Sequence, residues 1–220
     1  MAKQRQLDLI VFDWDGTLMD STALIVMAIQ AACRDLGVAE PDREQASYVI
    51  GLSLAGAMAA VAPALDSASQ ARLAERYRYH YLARDHELML FDGARGLLED
   101  LRDQGYLLAV ATGKARNGLN RVLSSSGLGE LFDATRCADE SFSKPHPAML
   151  MELMDELAVV PARTIMIGDT THDLLMAQNA GVASLAMSYG AHSIDDLHTG
   201  SPRAILHSVA ELREWLAQNG

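Results

Sequence analysis

Asp13 and Asp15 stand one residue apart at the end of the apolar run Leu9-Ile10-Val11-Phe12, with Gly16 and Thr17 following. Four consecutive apolar residues fit a strand buried on both faces, so the two carboxylates fall where that strand ends. Like charges this close are costly unless a cation, a proton or a metal-bound anionic substrate compensates them. The ordinary alternative is a surface Asp pair in a strand-to-loop turn. Two more strand-like runs also end in reactive groups: Tyr106 to Ala111 leads to Thr112-Gly113-Lys114, and Thr164 to Ile167 leads to Gly168-Asp169-Thr170-Thr171-His172-Asp173. In a parallel sheet the carboxyl ends of the strands share one edge, where ligands bind. Carboxylates, a hydroxyl and turn amides that are distant in sequence therefore converge. A carboxylate cluster calls for a divalent cation with oxygen ligands, and Mg²⁺ is held by one or two carboxylates plus phosphate oxygens. The hydroxyl and the turn amides suit the other phosphate oxygens.

Lys144-Pro145-His146-Pro147 adds a cation in a rigid turn. Pro145 keeps Lys144 out of helical geometry, and Pro147 suits the first turn of a following helix. At an effective dielectric of about 20, opposite unit charges about 4 Å apart attract by about 4 kcal/mol. One lysine and Mg²⁺ can thus offset the repulsion between a carboxylate nucleophile and a phosphate dianion, although the chain carries a net charge of -11.

The elements that must position these groups alternate from Phe91 onward. Helices are expected near Ala94 to Gln104, Arg116 to Ser125, Pro147 to Leu157, Asp173 to Ala180 and Val209 to Gln218. Between them fall strands at Tyr106 to Ala111, Phe132 to Cys137, Thr164 to Ile167 and Ala183 to Met187, with an edge strand at Ala204 to Leu206. Alternation of this kind implies a Rossmann-like parallel sheet with helices on both faces. Before Phe91 the pattern is helical: Ser21 to Leu36, capped by Asp20 or Ser21 and ended by Gly37, then Ser53 to Ala62, then Ser67 to Ala83. The expected organisation is an α/β core at 1–19 and 91–220, with an all-helical cap at 20–90 between the first two core strands.

Composition narrows the partners. Half of the 220 residues are apolar, enough for a proper core. The acidity argues against nucleic acid or an anionic membrane as a partner. The polar start, Met1 to Gln6, lacks the apolar core of a signal peptide, and Gly51 to Leu65 is too short for a membrane span. Cys33 and Cys137 have no metal or redox spacing and read as free thiols in a reducing cytosol. A cytoplasmic location is expected. The apolar stretch at 54–65 suits either a monomer or a cap-mediated homodimer.

Asp13-Trp14-Asp15-Gly16-Thr17, Thr112, Lys144 and Gly168-Asp169-Thr170-Thr171-His172-Asp173, in that order, resemble the four signatures of the haloacid dehalogenase superfamily, in the branch similar to phosphoglycolate phosphatases. The resemblance covers the whole chain and places the helical block where that family carries a C1-type cap. It implies a Mg²⁺-dependent phosphatase acting on a small phosphate ester. Asp13 would be the nucleophile that forms an aspartyl-phosphate. Asp15 would be the general acid and base, with its backbone carbonyl on the metal. Thr112, the Gly113 amide and Lys144 would hold the phosphoryl oxygens. Asp169 would complete the metal site with Asp13, and Asp173 would orient Lys144 or the metal's waters. An acid at position 15 favours phosphate esters over halides, because displacing halide needs no proton donor. Trp14 replaces the commoner Leu and is read as packing on the face opposite the two Asp side chains. Gly113 replaces the frequent Asn of a Thr-Asn-Lys sequence.

Other residues stay open. His172 is a poor Mg²⁺ ligand because that ion prefers oxygen. Lys114 either contacts phosphate or starts a helix. Tyr77, Tyr79, Tyr81 and His80 do not share one helical face, which speaks against a stacking platform. Arg84 and His86 are weak substrate-contact candidates. Gly51-Leu52-Ser53 either faces the substrate or simply begins a helix. The same fold also hosts sugar phosphomutases and inorganic pyrophosphatases. A phosphoaccepting regulatory module uses similar residues, but it would lack the helical lid. A chain that keeps the fold and only binds a partner is disfavoured, since every catalytic position carries a competent residue.

Overall fold

The computed structural model describes residues 6–220. Six parallel strands form one sheet: β1 (Leu9–Phe12), β2 (Leu107–Thr112), β3 (Ala134–Cys137), β4 (Thr164–Gly168), β5 (Ala183–Met187) and β6 (Ile205–Leu206), in the order β3-β2-β1-β4-β5-β6. β1 pairs with β2 on one side and β4 on the other, Phe12 lying between Val110 and Ile167. The chain builds outward from β1 to β3 and then crosses back to β4. The crevice at the carboxyl ends of β1 and β4 is therefore the topological switch point, the usual ligand position in such sheets.

Strand alternation sorts the side chains into two layers. Ile10, Phe12, Leu108, Val110, Ile165 and Ile167 face α5 (Ala94–Asp103), α6 (Arg116–Ser126) and α10 (Val209–Asn219) through residues such as Leu98, Leu119 and Leu212. Leu9, Val11, Ala109, Ala111 and Met166 face α7 (Ala148–Leu157) and α8 (Thr171–Asn179) through Leu150, Leu153 and Met176. Each buried Leu or Ile contributes about 1.5–3 kcal/mol. Truncating one fully enclosed member, such as Leu108→Ala, costs about 2–5 kcal/mol. Trp14 joins the first layer, fully buried and edge-on to Phe132 at 6.4 Å. It packs away from the carboxylates, as alternation requires.

Between β1 and β2 lie α1 (Thr22–Asp35), α2 (Arg43–Tyr48), α3 (Leu54–Val61) and α4 (Ser67–Leu82), which close on a separate apolar cluster centred on Ile29, Ala32, Met58 and Leu73. Ala57, Met58 and Ala62 are buried inside it. The other residues of 54–65 stay partly or fully exposed. Helix α2 is absent from the sequence reading because it spans under two turns and carries two apolar side chains at most. Its capping box, with Asp42 and Gln45 bonding each other's backbone amides, holds it in place. Helix α8 begins two residues earlier than expected, set by a second capping box between Thr170 and Asp173. Ser21 occupies the N-cap position of α1, yet its hydroxyl does not cap the helix. Among the described residues, no helix is long and apolar enough to cross a membrane. A short α9 (Ile194–Thr199) lies between β5 and β6.

Candidate active site

Asp13, the residue after β1, is nearly inaccessible, and its Oδ1 lies 2.5 Å from Lys144 Nζ. The same Nζ lies 2.6 Å from Asp173 Oδ1, a charge contact outside hydrogen-bond geometry. Lys144 is delivered by a loop whose Lys144–Pro145 peptide bond is cis. Asp173 is fixed from its other oxygen, which accepts from the Thr170 amide at 3.1 Å and the Thr170 hydroxyl at 2.7 Å. Asp169, at the end of β4, is held on both oxygens: Thr17 Oγ1 donates to Oδ1 at 2.8 Å, and the Ala191 amide donates to Oδ2 at 2.7 Å. Glycines permit this closeness, since a Cβ on Gly168 would run into Asp173 and one on Gly190 into Asp169. Gly16 takes φ +81°, and a Cβ there would run into Asp169. A Cβ on Gly113 would collide with the backbone carbonyls of Gly51 and Leu52.

The electrostatics are one-sided. Asp13, Asp169 and Asp173 offer oxygens that all lie within 4.8 Å of one another, against the single Lys144 ammonium. Burial pushes Asp13 up to about 7 despite the opposing pull of Lys144, with the Asp173 and Asp15 charges adding to the rise. Burial and the Asp13 and Asp173 charges raise Asp169 well above the carboxylate range. Burial alone would favour a neutral Lys144 amine, but Asp13 and Asp173 outweigh it and raise its pKa. With all three carboxylates ionised, the form a bound cation favours, two negative charges would stand in excess of Lys144, and Asp13 Oδ2 is buried without a hydrogen-bond partner. An orphaned anionic oxygen beside two more carboxylates fits a divalent, oxygen-liganded cation.

Asp15 stands apart from this cluster. Its Oδ1 accepts from Ser21 Oγ at 2.7 Å, and its Oδ2 lies 3.0 Å from Lys114 Nζ. Lys114 Nζ also donates to Tyr81 Oη at 3.0 Å. Lys114 thus ties the Asp15 carboxylate to the cap. Asp15, in turn, enters the metal reading through its backbone carbonyl alone. Thr112 Oγ1 accepts from the Lys114 amide at 3.2 Å and keeps its own proton to donate. Thr112 and Gly113 close the end of β2 beside Asp13.

A cavity of about 730 Å³ opens between this edge and the cap, reaching Asp13, Asp15, Gly113 and Lys114. Gly51, Leu52 and Ser53 line it, and Ser53 also caps α3 through the Gly56 amide. Tyr77 and Tyr81 stack at 5.7 Å and both line the cavity. The four positions Tyr77, Tyr79, His80 and Tyr81 do not share a face, which makes a platform the less favoured reading of the sequence. One i,i+4 pair does, and Tyr79 points outward. Arg84 pairs with Glu87 on the surface, and neither it nor His86 lines the cavity. His172 Nε2 lies 2.8 Å from the Tyr48 carbonyl and so reaches the cap, not the carboxylates.

Several functional contacts escaped sequence reasoning. Ser21 was read only as a helix cap, and Thr17 only as part of a motif. His192 carried no motif at all. Its Nδ1 accepts from the Thr171 amide at 3.0 Å, which leaves Nε2 to donate to the same Tyr48 carbonyl at 3.1 Å. Tyr48 stacks on the His192 ring at 4.8 Å. Two histidines from the core thus pin the end of α2.

The chain is similar to known proteins over most of its length. Residues 10–187 match the family model of haloacid dehalogenase-like hydrolases. A Dickeya dadantii protein named "Probable phosphatase IndB" is 37% identical over 93% of this chain and 91% of its own length. A phosphoglycolate phosphatase of Vibrio parahaemolyticus is 30% identical over 97% of this chain and 98% of its own. The crystal structure of a predicted phosphatase from Clostridium acetobutylicum superposes with a TM-score of 0.85 at 26% identity, covering 96% of this chain and 99% of that one.

Proposed function

The chain belongs to the haloacid dehalogenase-like hydrolase family, and on that premise we propose that it is a Mg²⁺-dependent phosphatase that hydrolyses a small phosphorylated metabolite through an aspartyl-phosphate on Asp13. The observation that carries the reading is the buried contact of Lys144 Nζ with Asp13 Oδ1 at 2.5 Å, set inside a carboxylate cluster in negative excess. Asp13 and Asp169, with the backbone carbonyl of Asp15, would hold Mg²⁺, and Asp173 completes the anionic cradle. When bound, Mg²⁺ supplies positive charge to the phosphoryl oxygens and to the nucleophile.

Asp13 attacks phosphorus, and the phosphorus–oxygen bond to the leaving group breaks. Asp15 gives its proton to the departing oxygen, then takes one from the water that attacks the aspartyl-phosphate. Inorganic phosphate leaves and Asp13 is restored. Lys144 offsets charge on Asp13 and on the phosphoryl group, with Asp173 fixing its ammonium. Thr112 and the Gly113 amide hold phosphoryl oxygens in a preset position, so positioning and electrostatics supply most of the rate. Ser21 and Lys114 hold the Asp15 carboxylate toward the cavity.

The test is phosphate release from a panel of phosphate monoesters with and without Mg²⁺. The proposal expects Mg²⁺-dependent release that Asp13→Asn abolishes. Release that persists undiminished in that variant would contradict it. Isomerised sugar phosphate without net phosphate would indicate a phosphomutase, release confined to pyrophosphate an inorganic pyrophosphatase, and a long-lived phospho-Asp13 without turnover a phosphoaccepting regulatory module.

A further inference from the structure

The wall of the cavity that faces Asp13 and Asp15 is hydrocarbon. Ile25 and Ile29 of α1, Leu54 and Met58 of α3, and the stacked Tyr77 and Tyr81 of α4 form it. Its volume of about 730 Å³ lies in the range of sites that enclose a drug-sized ligand. The charged groups in reach do not suit a second anion on the substrate. Lys114 is committed to Asp15 at 3.0 Å, and Arg121 to Asp85 at 2.8 Å. Arg78 also lines the cavity, but it is exposed, so water screens its charge. Asp139 adds negative charge to the lining. A carboxylate or second phosphate would lose its hydration against this wall with only a water-screened arginine to replace it, a costly exchange. An apolar body, by contrast, gains from every methylene it buries.

We infer that the preferred substrate is a monophosphate ester of an alcohol with a bulky apolar body, and not a short phosphorylated acid or pyrophosphate. The inference rests on the phosphatase reading above and narrows its substrate class. The cap supplies the selectivity: the phosphoryl group sits at the strand ends, and the body of the alcohol lies against α1, α3 and the tyrosine pair.

The test uses primary alkyl phosphates from ethyl to hexyl, which share nearly the same leaving-group acidity, so that only burial changes along the series. A matched-length ether–alcohol phosphate is the polar control, and phosphoglycolate and pyrophosphate complete the panel. With Mg²⁺ present, kcat/KM is expected to rise about fourfold per added methylene, the equivalent of about 0.8 kcal/mol each. The polar control and phosphoglycolate should fall well below hexyl phosphate. Leu54→Ser, a change at a partly exposed position, should flatten the chain-length dependence while circular dichroism and melting remain those of a folded protein. Release that is flat or falls with chain length, or that is fastest for phosphoglycolate or pyrophosphate, overturns the inference and leaves the phosphatase reading intact. Absence of Mg²⁺-dependent release from every compound overturns both.

Discussion

The carboxylate edge and the apolar cap wall face each other across one cavity, and they are held by opposite means. At the edge, each charged group is fixed by named partners: Asp13 by Lys144, Asp169 by Thr17 and the Ala191 amide, Asp173 by Thr170. Displacing one leaves another buried charge unpaired. On the cap side Ile25, Ile29 and Met58 are held by shape and burial, which tolerates substitution at modest cost, and Tyr81 adds a polar tie, to Lys114. The lesson is a division of labour. Under the proposed function, the edge sets which bond is broken and the wall sets which molecule is brought to it.

If that division is right, variants on the two sides should fail differently. The largest effect belongs to Asp13→Asn, expected to cut kcat by about 10⁴-fold or more, because no neighbouring group can take over the attack. Steady-state phosphate release measures it. Lys144→Met comes next. Removing one partner from a buried ion pair costs about 3–5 kcal/mol, here because Asp13 and Asp173 lose their only shared cation. Without metal, Tm should fall on the order of ten degrees, with part of the loss recovered on adding Mg²⁺. An unchanged Tm would remove the electrostatic account of the edge. On the wall, Tyr77→Ala is expected to raise KM for an apolar ester about five- to tenfold while acting far less on kcat. A variant that instead lowers kcat with KM unchanged would blur the division.

A smaller effect tests the joint between the two sides. Burial holds the His192 imidazole below its ordinary value of 6.5, with the neighbouring His172 adding to the shift. The unfolded chain therefore takes up a proton near pH 6.5 that the folded chain refuses. The stability owed to neutral His192 is full above that pH and is lost as pH falls through it. Urea midpoints should consequently fall less between pH 7 and pH 5 in His192→Asn than in the parent. Smallest of all is the response of the thiols. Burial raises both Cys33 and Cys137, the latter to about 12, so neither should be alkylated in the folded protein. Mass spectrometry after iodoacetamide treatment checks this.

The edge was legible in the sequence because strand ends are local: an apolar run followed by Asp13, Thr112 or Asp169 states both the element and its terminal group. The parallel sheet then forces those ends together without any further information. The cap was legible only as helices. Ile29 and Met58 have the spacing of ordinary core residues, and nothing in that spacing says that part of their surface borders a cavity. The Tyr77–Tyr81 pair was hidden among neighbours that face elsewhere. Ser21 and His192 were missed for a different reason. Their partners lie across the fold or in a turn, and a lone Ser or His carries no periodic signal.

The most direct test of the account is the covalent state of Asp13 during turnover. The enzyme would be mixed with a hydrolysed phosphate ester and Mg²⁺, quenched in acid on the millisecond scale, and its peptides analysed by mass spectrometry. A phosphoryl group on the peptide carrying Asp13, rising before free phosphate and absent from Asp13→Asn, is the predicted result. Steady turnover with no phosphoryl on that peptide, or with the phosphoryl on another residue, would contradict the role given to Asp13.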